Sequence, residues 1–369
     1  MVVPFLSIYC IQQLHFSIVQ AGTIMALFGV GALAGAFIGG KLVDKIGFYD
    51  MQVGALISGG LFFILLGFLQ SFTVLAIGSF VLSLCNESFR PANSAAIAHY
   101  SSDSNKTRSY SLNRLAINLG WAVGGGLGGF LASINYRLLF WVDGCTNVLA
   151  AVLLLLLMPR AAVAKTIKKP DEAIIKTSAY KDKIYLVFIV LATLFAICFY
   201  QFMIMQPVFF KIEWHFSEKF IGFLMALNGV LIVVIEMVLI HKLEGRRNRM
   251  VYIIGGVALG GVSYMLLNIL PAGAVAAIII IVLITFSEMF AMPFMNSFWI
   301  SRTTPHNRGE YAALYSMSWS AAQIVAPFFG SNVVAYGGFN LLWWIFGGVS
   351  FVAALGYYYL YRIMFKSVV

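Results

Sequence analysis

The chain has 369 residues, of which 61% are hydrophobic and only 10% charged, and it carries a formal net charge of +10. Soluble globular proteins are about 25% charged, so this composition excludes an ordinary soluble domain. Repeated apolar stretches of about 20 residues indicate helices that cross a bilayer, and the surplus of positive charge belongs to their loops rather than to a nucleic-acid surface.

In chain order, residues 1–10 are too few to span and read as the tail of a helix. Complete spans are predicted near 17–40, 51–70, 73–98, 109–132 and 138–158. A polar stretch from Pro159 to Lys183 follows and reads as a linker between residues 1–158 and 184–369. Spans resume near 184–209, 218–240, 250–270, 274–300, 309–335 and 339–361. The expected fold is an all-α polytopic membrane protein with eleven complete spans and a remnant of a first helix. Alternate loops then hold nineteen of the 24 basic residues, with Arg137, Lys211 and Lys219 on the other side and Arg90 and Arg114 inside spans. Basic loops stay in the cytoplasm, which predicts a cytoplasmic linker and C-terminus. The four cysteines form no CxxC and no metal-ligand spacing and say nothing about redox compartment, and no metal or cofactor is expected.

The chain repeats itself. His15-Phe16-Ser17 recurs as His215-Phe216-Ser217, and Gly22, Met25, Ala26, Leu27, Gly29 and Val30 recur at the same offset of 200. Asp44 falls on Glu244 and Arg108 on Arg308. With small insertions, Pro4 pairs with Pro207 and Glu87 with Glu288. Such a repeat is the mark of a transporter built from two related halves. It implies two six-helix bundles, with about 20 residues of the first helix missing.

Gly40, Asp44, Lys45 and Gly47 form G-x-x-x-D-K-x-G in the loop after the first complete span. This resembles the signature loop of the major facilitator superfamily, although Phe48, Tyr49 and Asp50 stand where a basic pair is expected. The resemblance implies a conformational switch loop. HKLEGRRNR, with Glu244, is its degenerate counterpart in the second half. Gly31, Gly35 and Gly39 are spaced for close helix approach. Gly120, Gly124, Gly125, Gly128 and Gly129 resemble the glycine-rich fifth helix of antiporters in that superfamily. Packing and a hinge are both open for them, with Pro327 at the equivalent place in the second half.

Ionisable side chains within spans are costly and point to function. Glu87 and Arg90 lie i,i+3 on one helix, roughly 15–20 Å from its basic end. Glu288 sits at similar depth in the second half. Glu87, Arg90, Glu288, Arg114 and Asn118 are the candidate proton- and substrate-coupling residues, with a structural salt bridge the alternative for the first pair. Asp143 and Glu236 rank lower, and Glu236 is expected to pair with the Arg246–Arg249 cluster. Tyr200, Phe202, Trp299, Tyr315 and Trp319 are candidates for an apolar cavity wall, with ordinary packing the alternative. The segments around Arg90-Pro91-Ala92-Asn93-Ser94, Ile117-Asn118 and Glu288–Pro293 are similar to elements of proton-coupled oligopeptide transporters. Arg90 also resembles the fourth-helix arginine of drug/proton antiporters.

The expectation is a secondary active transporter that moves a small molecule with protons across a bacterial-type inner membrane, as a monomer and without nucleic acid. Export of small amphipathic compounds leads. Uptake of peptide-like solutes is the runner-up, and a non-transporting membrane sensor is the reading from another class. The chain has no P-loop and no hydrolase motif, so neither ATP-driven transport nor enzymatic activity is expected.

Overall fold

The computed structural model describes residues 1–101, 106–160, 178–303 and 307–366, and the regular elements among them are all helical. The first seven are α1 (Val2–Gln12), α2 (Ile18–Ile46), α3 (Phe48–Leu66), α4 (Phe72–Glu87), α5 (Phe89–Tyr100), α6 (Lys106–Ile134) and α7 (Arg137–Leu157). The remainder are α8 (Lys183–Ile212), α9 (Glu218–Leu243), α10 (Arg249–Ile269), α11 (Ala274–Ser301) and α12 (Arg308–Lys366). A single 3-10 turn, Ala179–Lys181, precedes α8. Ten stretches among the described residues are long and apolar enough to cross a membrane, with α4 and most of α5 forming one of them. The last, Glu310–Met364, is two helices joined at Gly338, whose φ of 72° only glycine adopts readily. Counting both, the spans number eleven, and α1 is the short apolar helix at the start.

The chain forms two compact units. The first is Met1–Asp171 with Ser217–Gly222, and the second is Glu172–Phe216 with Phe223–Val369. Residues 161–177, most of the expected linker, lie outside the described residues.

In the first unit α2 lies along α4 because its glycine stripe leaves no side chain between them. A Cβ on Gly31, Gly35 or Gly39 would overlap the backbone of Phe80, Leu84 or Ser88 respectively. Gly125 and Gly129 of α6 meet Gly222, in the Ser217–Gly222 segment of this unit, with the same lack of room. Tyr136 donates to Glu218 Oε1 of that segment at 2.6 Å. Burial, together with the carboxylate acceptor, pushes the Tyr136 phenol above its ordinary range, so it stays a donor at physiological pH.

The core of the second unit is aromatic. Tyr185, Phe188, Phe298, Tyr311, Tyr315 and Tyr357 pack together between α8, α11 and α12. Of the candidates for a cavity wall, Tyr315 belongs to this cluster, Trp299 and Trp319 lie half-buried against it, and Phe202 is fully buried. Where α8 meets α12, Gln201 donates to the carbonyl of Ala326 at 2.7 Å, beside Pro327, and a Cβ at Gly330 would overlap its amide. At the start of α8, Asp182 caps the helix through Tyr185 N–H and holds Arg302, just after α11, by two hydrogen bonds of 2.8 Å.

The internal repeat is visible in the backbone. His15 and His215 both adopt left-handed conformations, with φ of 56° and 54°. Phe16 N–H bonds to Cys10 O and Phe216 N–H to Phe210 O, each at 2.9 Å. Ser17 and Ser217 then cap α2 and α9 through Gln20 N–H and Phe220 N–H. This register pairs Tyr9 with Phe209, so the proposed partners Pro4 and Pro207 stand three residues apart rather than in line.

Candidate functional site

In the first unit the span that begins as α4 breaks at Ser88. Pro91 has no N–H for the carbonyl of Glu87, four residues earlier, so the helical ladder is interrupted there. Glu87 and Arg90 lie on either side of this break. Arg90 Nε donates to Glu87 Oε2 at 2.7 Å. The two groups differ sharply in access, since the Glu87 side chain is 15% exposed and that of Arg90 is 78% exposed. The carboxylate is thus held in the protein while most of the guanidinium is exposed. Near the pair, an amide chain links three helices. Gln52 of α3 donates to Asn93 Oδ1 of α5 at 3.3 Å, and Asn93 donates to Asn113 Oδ1 of α6 at 3.1 Å. Asn118 is half-buried further along α6. The side chain of Arg114 lies outside the described residues.

Glu288 is placed differently. It is buried near the middle of α11, and its Oε1 accepts from Asn228 Nδ2 of α9 at 3.2 Å. The same amide donates to Thr285 Oγ1 at 2.9 Å. Beside Glu288 is a cavity of about 10 Å³, lined also by Cys198, Tyr264, Ser287 and Ser350. That volume admits about one water molecule. Among the described residues Glu288 has no ion-pair partner, so the repeat partners Glu87 and Glu288 differ chemically: one is matched by a guanidinium, the other by a neutral amide.

Sequence reasoning missed Asn228, although a signal was present. The block Met25-Ala26-Leu27-Phe28 recurs as Met225-Ala226-Leu227-Asn228, and the one change puts an amide in place of an apolar ring. It also missed Gln206, which is fully buried on α8 with no hydrogen-bond partner among the described residues.

The loop expected to act as a switch is a turn between α2 and α3. Gly47 ends one helix and starts the next with a φ of 89°, and its N–H bonds to Val43 O at 3.0 Å. Lys41 Nζ lies over the Phe37 ring and Lys45 is in the last turn of α2, while the Asp44 side chain lies outside the described residues. Asp50, in the first turn of α3, pairs with Arg160 at 3.0 Å. Of the glycine-rich group, Gly128 faces Phe5 and Gly124 faces Met1 of the N-terminal segment, but a Cβ at Gly120 would meet nothing within 4 Å, as is also true of Gly40 on α2. Asp143 accepts from Val2 N–H at 2.7 Å.

Residues 1–327 match the Major Facilitator Superfamily. The chain belongs to this family. It is therefore a membrane transporter of a class that handles small molecules and is not a class of enzymes. Over its full length it is 24% identical to a Na(+), Li(+), K(+)/H(+) antiporter from Planococcus maritimus, covering 93% of that protein. It is 25% identical over 158 residues to the quinolone resistance protein NorA of Staphylococcus aureus, which is 43% of this chain and 40% of NorA. In fold it is similar to a POT family transporter crystallised with a thioalcohol-conjugated peptide. The TM-score is 0.80 at 14% identity, covering 96% of this chain and 90% of the other.

Proposed function

We propose that this Major Facilitator Superfamily transporter exports small amphipathic compounds in exchange for protons, by alternating access, as a monomer in a bacterial-type inner membrane with its linker and C-terminus in the cytoplasm. The observation that carries the reading is the Glu87–Arg90 pair at a helix break in mid-span. A carboxylate that a proton can neutralise there releases its arginine for another anion or for solvent. Glu288 is the second proton carrier and Asn228 its positioning partner. The similarity to NorA over part of the chain supports export.

A second reading is exchange of alkali cations for protons. The oxygen-bearing group of Glu288, Thr285 and Asn228 favours it, as does the full-length relative with that activity.

Reconstitution in proteoliposomes with an imposed pH gradient and an internal pH dye separates these readings. Amphipathic organic cations are expected to discharge the gradient, and Glu87→Gln or Glu288→Gln to abolish the discharge with unchanged membrane insertion. Discharge by sodium or potassium alone selects the second reading. Discharge by dipeptides selects peptide-like uptake, and no discharge with any solute leaves a non-transporting membrane sensor. Wild-type coupling in both variants removes these carboxylates from the site.

A further inference from the structure

A cavity of about 490 Å³ opens at the basic end of the second unit, where α9, α10, α11 and α12 converge. Its lining carries Arg247, Arg249 and Arg302 together with the half-buried apolar residues Ile240, Pro293 and Met364. Arg302 is already engaged by Asp182 at 2.7 Å. Arg247 and Arg249 are exposed and have no ion-pair partner among the described residues. Glu244 is the acid in the cavity wall, so the lining keeps a net positive charge. The first unit treats the corresponding place differently. There α3 carries Asp50 in its first turn to hold Arg160, whereas α10 has no acid in its first turn.

We propose that this cavity binds the phosphate headgroup of an anionic phospholipid. Arg247 and Arg249 take the phosphate oxygens by charge-assisted hydrogen bonds, for which the guanidinium fork is well shaped. Ile240, Pro293 and Met364, the half-buried apolar residues of the lining, receive the start of an acyl chain. A free phosphate ion shares the first interaction and has no use for the second, so the apolar wall assigns the site to a lipid. Basic pockets between spanning helices are suited to such headgroups.

The test uses the full chain purified in a non-ionic detergent, titrated with phosphatidylglycerol and read by native mass spectrometry. Phosphatidylcholine and inorganic phosphate form the comparison arms. Arg247→Gln/Arg249→Gln is expected to weaken phosphatidylglycerol binding about thirtyfold, at about fivefold per guanidinium near a membrane surface. Arg246 is also exposed but does not line the cavity, so Arg246→Gln is expected to bind as the wild type does. Phosphatidylcholine is expected to bind much more weakly than phosphatidylglycerol. Three results overturn the proposal: equal binding by wild type and the double variant, equal loss in Arg246→Gln, or equal affinity for the two lipids. Displacement of phosphatidylglycerol by inorganic phosphate at equal concentration reassigns the site to the free ion and overturns the lipid as occupant. All three arginines are exposed, so the variants are expected to fold.

Discussion

Whether the Glu87–Arg90 pair is structure or machinery is decided by magnitude. Arg90 is largely exposed, and an ion pair with one exposed partner contributes only about 0–1 kcal/mol to stability. Arg90→Gln should therefore leave the thermal unfolding midpoint within about 2 °C of wild type. The same variant is expected to lower gradient-driven transport at least tenfold, with Arg90→Lys intermediate because it keeps charge but not the guanidinium fork (an expectation on the order of one charge-assisted hydrogen bond). Parallel loss of stability and transport in Arg90→Gln would identify the pair as a structural bridge. At this scale the sequence is uneven in what it discloses. Glu87 and Arg90 are legible because their spacing alone puts them on one face of a helix. The Asn228–Glu288 contact is not, because it joins two helices 60 residues apart and depends on how each is rotated. Asp182 and Arg302 are hidden for the same reason, at a separation of 120 residues.

Among the elements, proline and glycine decide geometry. Pro91 has no N–H to give the carbonyl of Glu87, and the span divides at Ser88. Pro293 sits five residues after Glu288, and α11 continues through it from Ala274 to Ser301. A proline in the sequence thus marks where a break is available, while the packing around it decides whether the break forms. The first case has Gly39 against Ser88, a contact that lets the distorted turn sit close to α2. The stripe of Gly31, Gly35 and Gly39 is the more direct case, since its spacing announces a close helix neighbour without saying which one. Gly35→Leu places a side chain where the backbone of Leu84 lies. The expected cost is on the order of 1–3 kcal/mol, through separation of α2 from α4. It should appear as a lower thermal midpoint and poorer recovery of folded protein in detergent. Gly40→Ala, on the same helix but with open space around it, should leave both unchanged. Equal effects at the two positions would show that helix propensity rather than close approach is at issue.

For the molecule as a whole, the repeat is the feature best written in the chain. The left-handed histidines, the matching turn hydrogen bonds and the serine caps recur 200 residues apart. They recur because the same local sequence meets the same demand, a sharp reversal between two spans. The charged positions have drifted instead. Asp50 is paired with Arg160 in the first unit, while arginines of the second unit stand without an acidic neighbour in α10. Orientation in the bilayer is carried by that charge pattern alone, and an accessibility experiment tests it. Cys145 is exposed and Cys85 half-buried, so both are first replaced by serine. Glu213→Cys, in the connection before α9, and Lys242→Cys, in its last turn, then place single reporters on either side of that helix, both at exposed positions. A 26-residue helix is about 39 Å long, enough to put its ends on opposite sides of a bilayer. With the basic loops in the cytoplasm, a membrane-impermeant maleimide should label Glu213→Cys in intact cells and Lys242→Cys only after permeabilisation. The reverse pattern would invert the orientation. Labelling of both in intact cells would mean that α9 does not separate the two compartments, and the span count with it would fail.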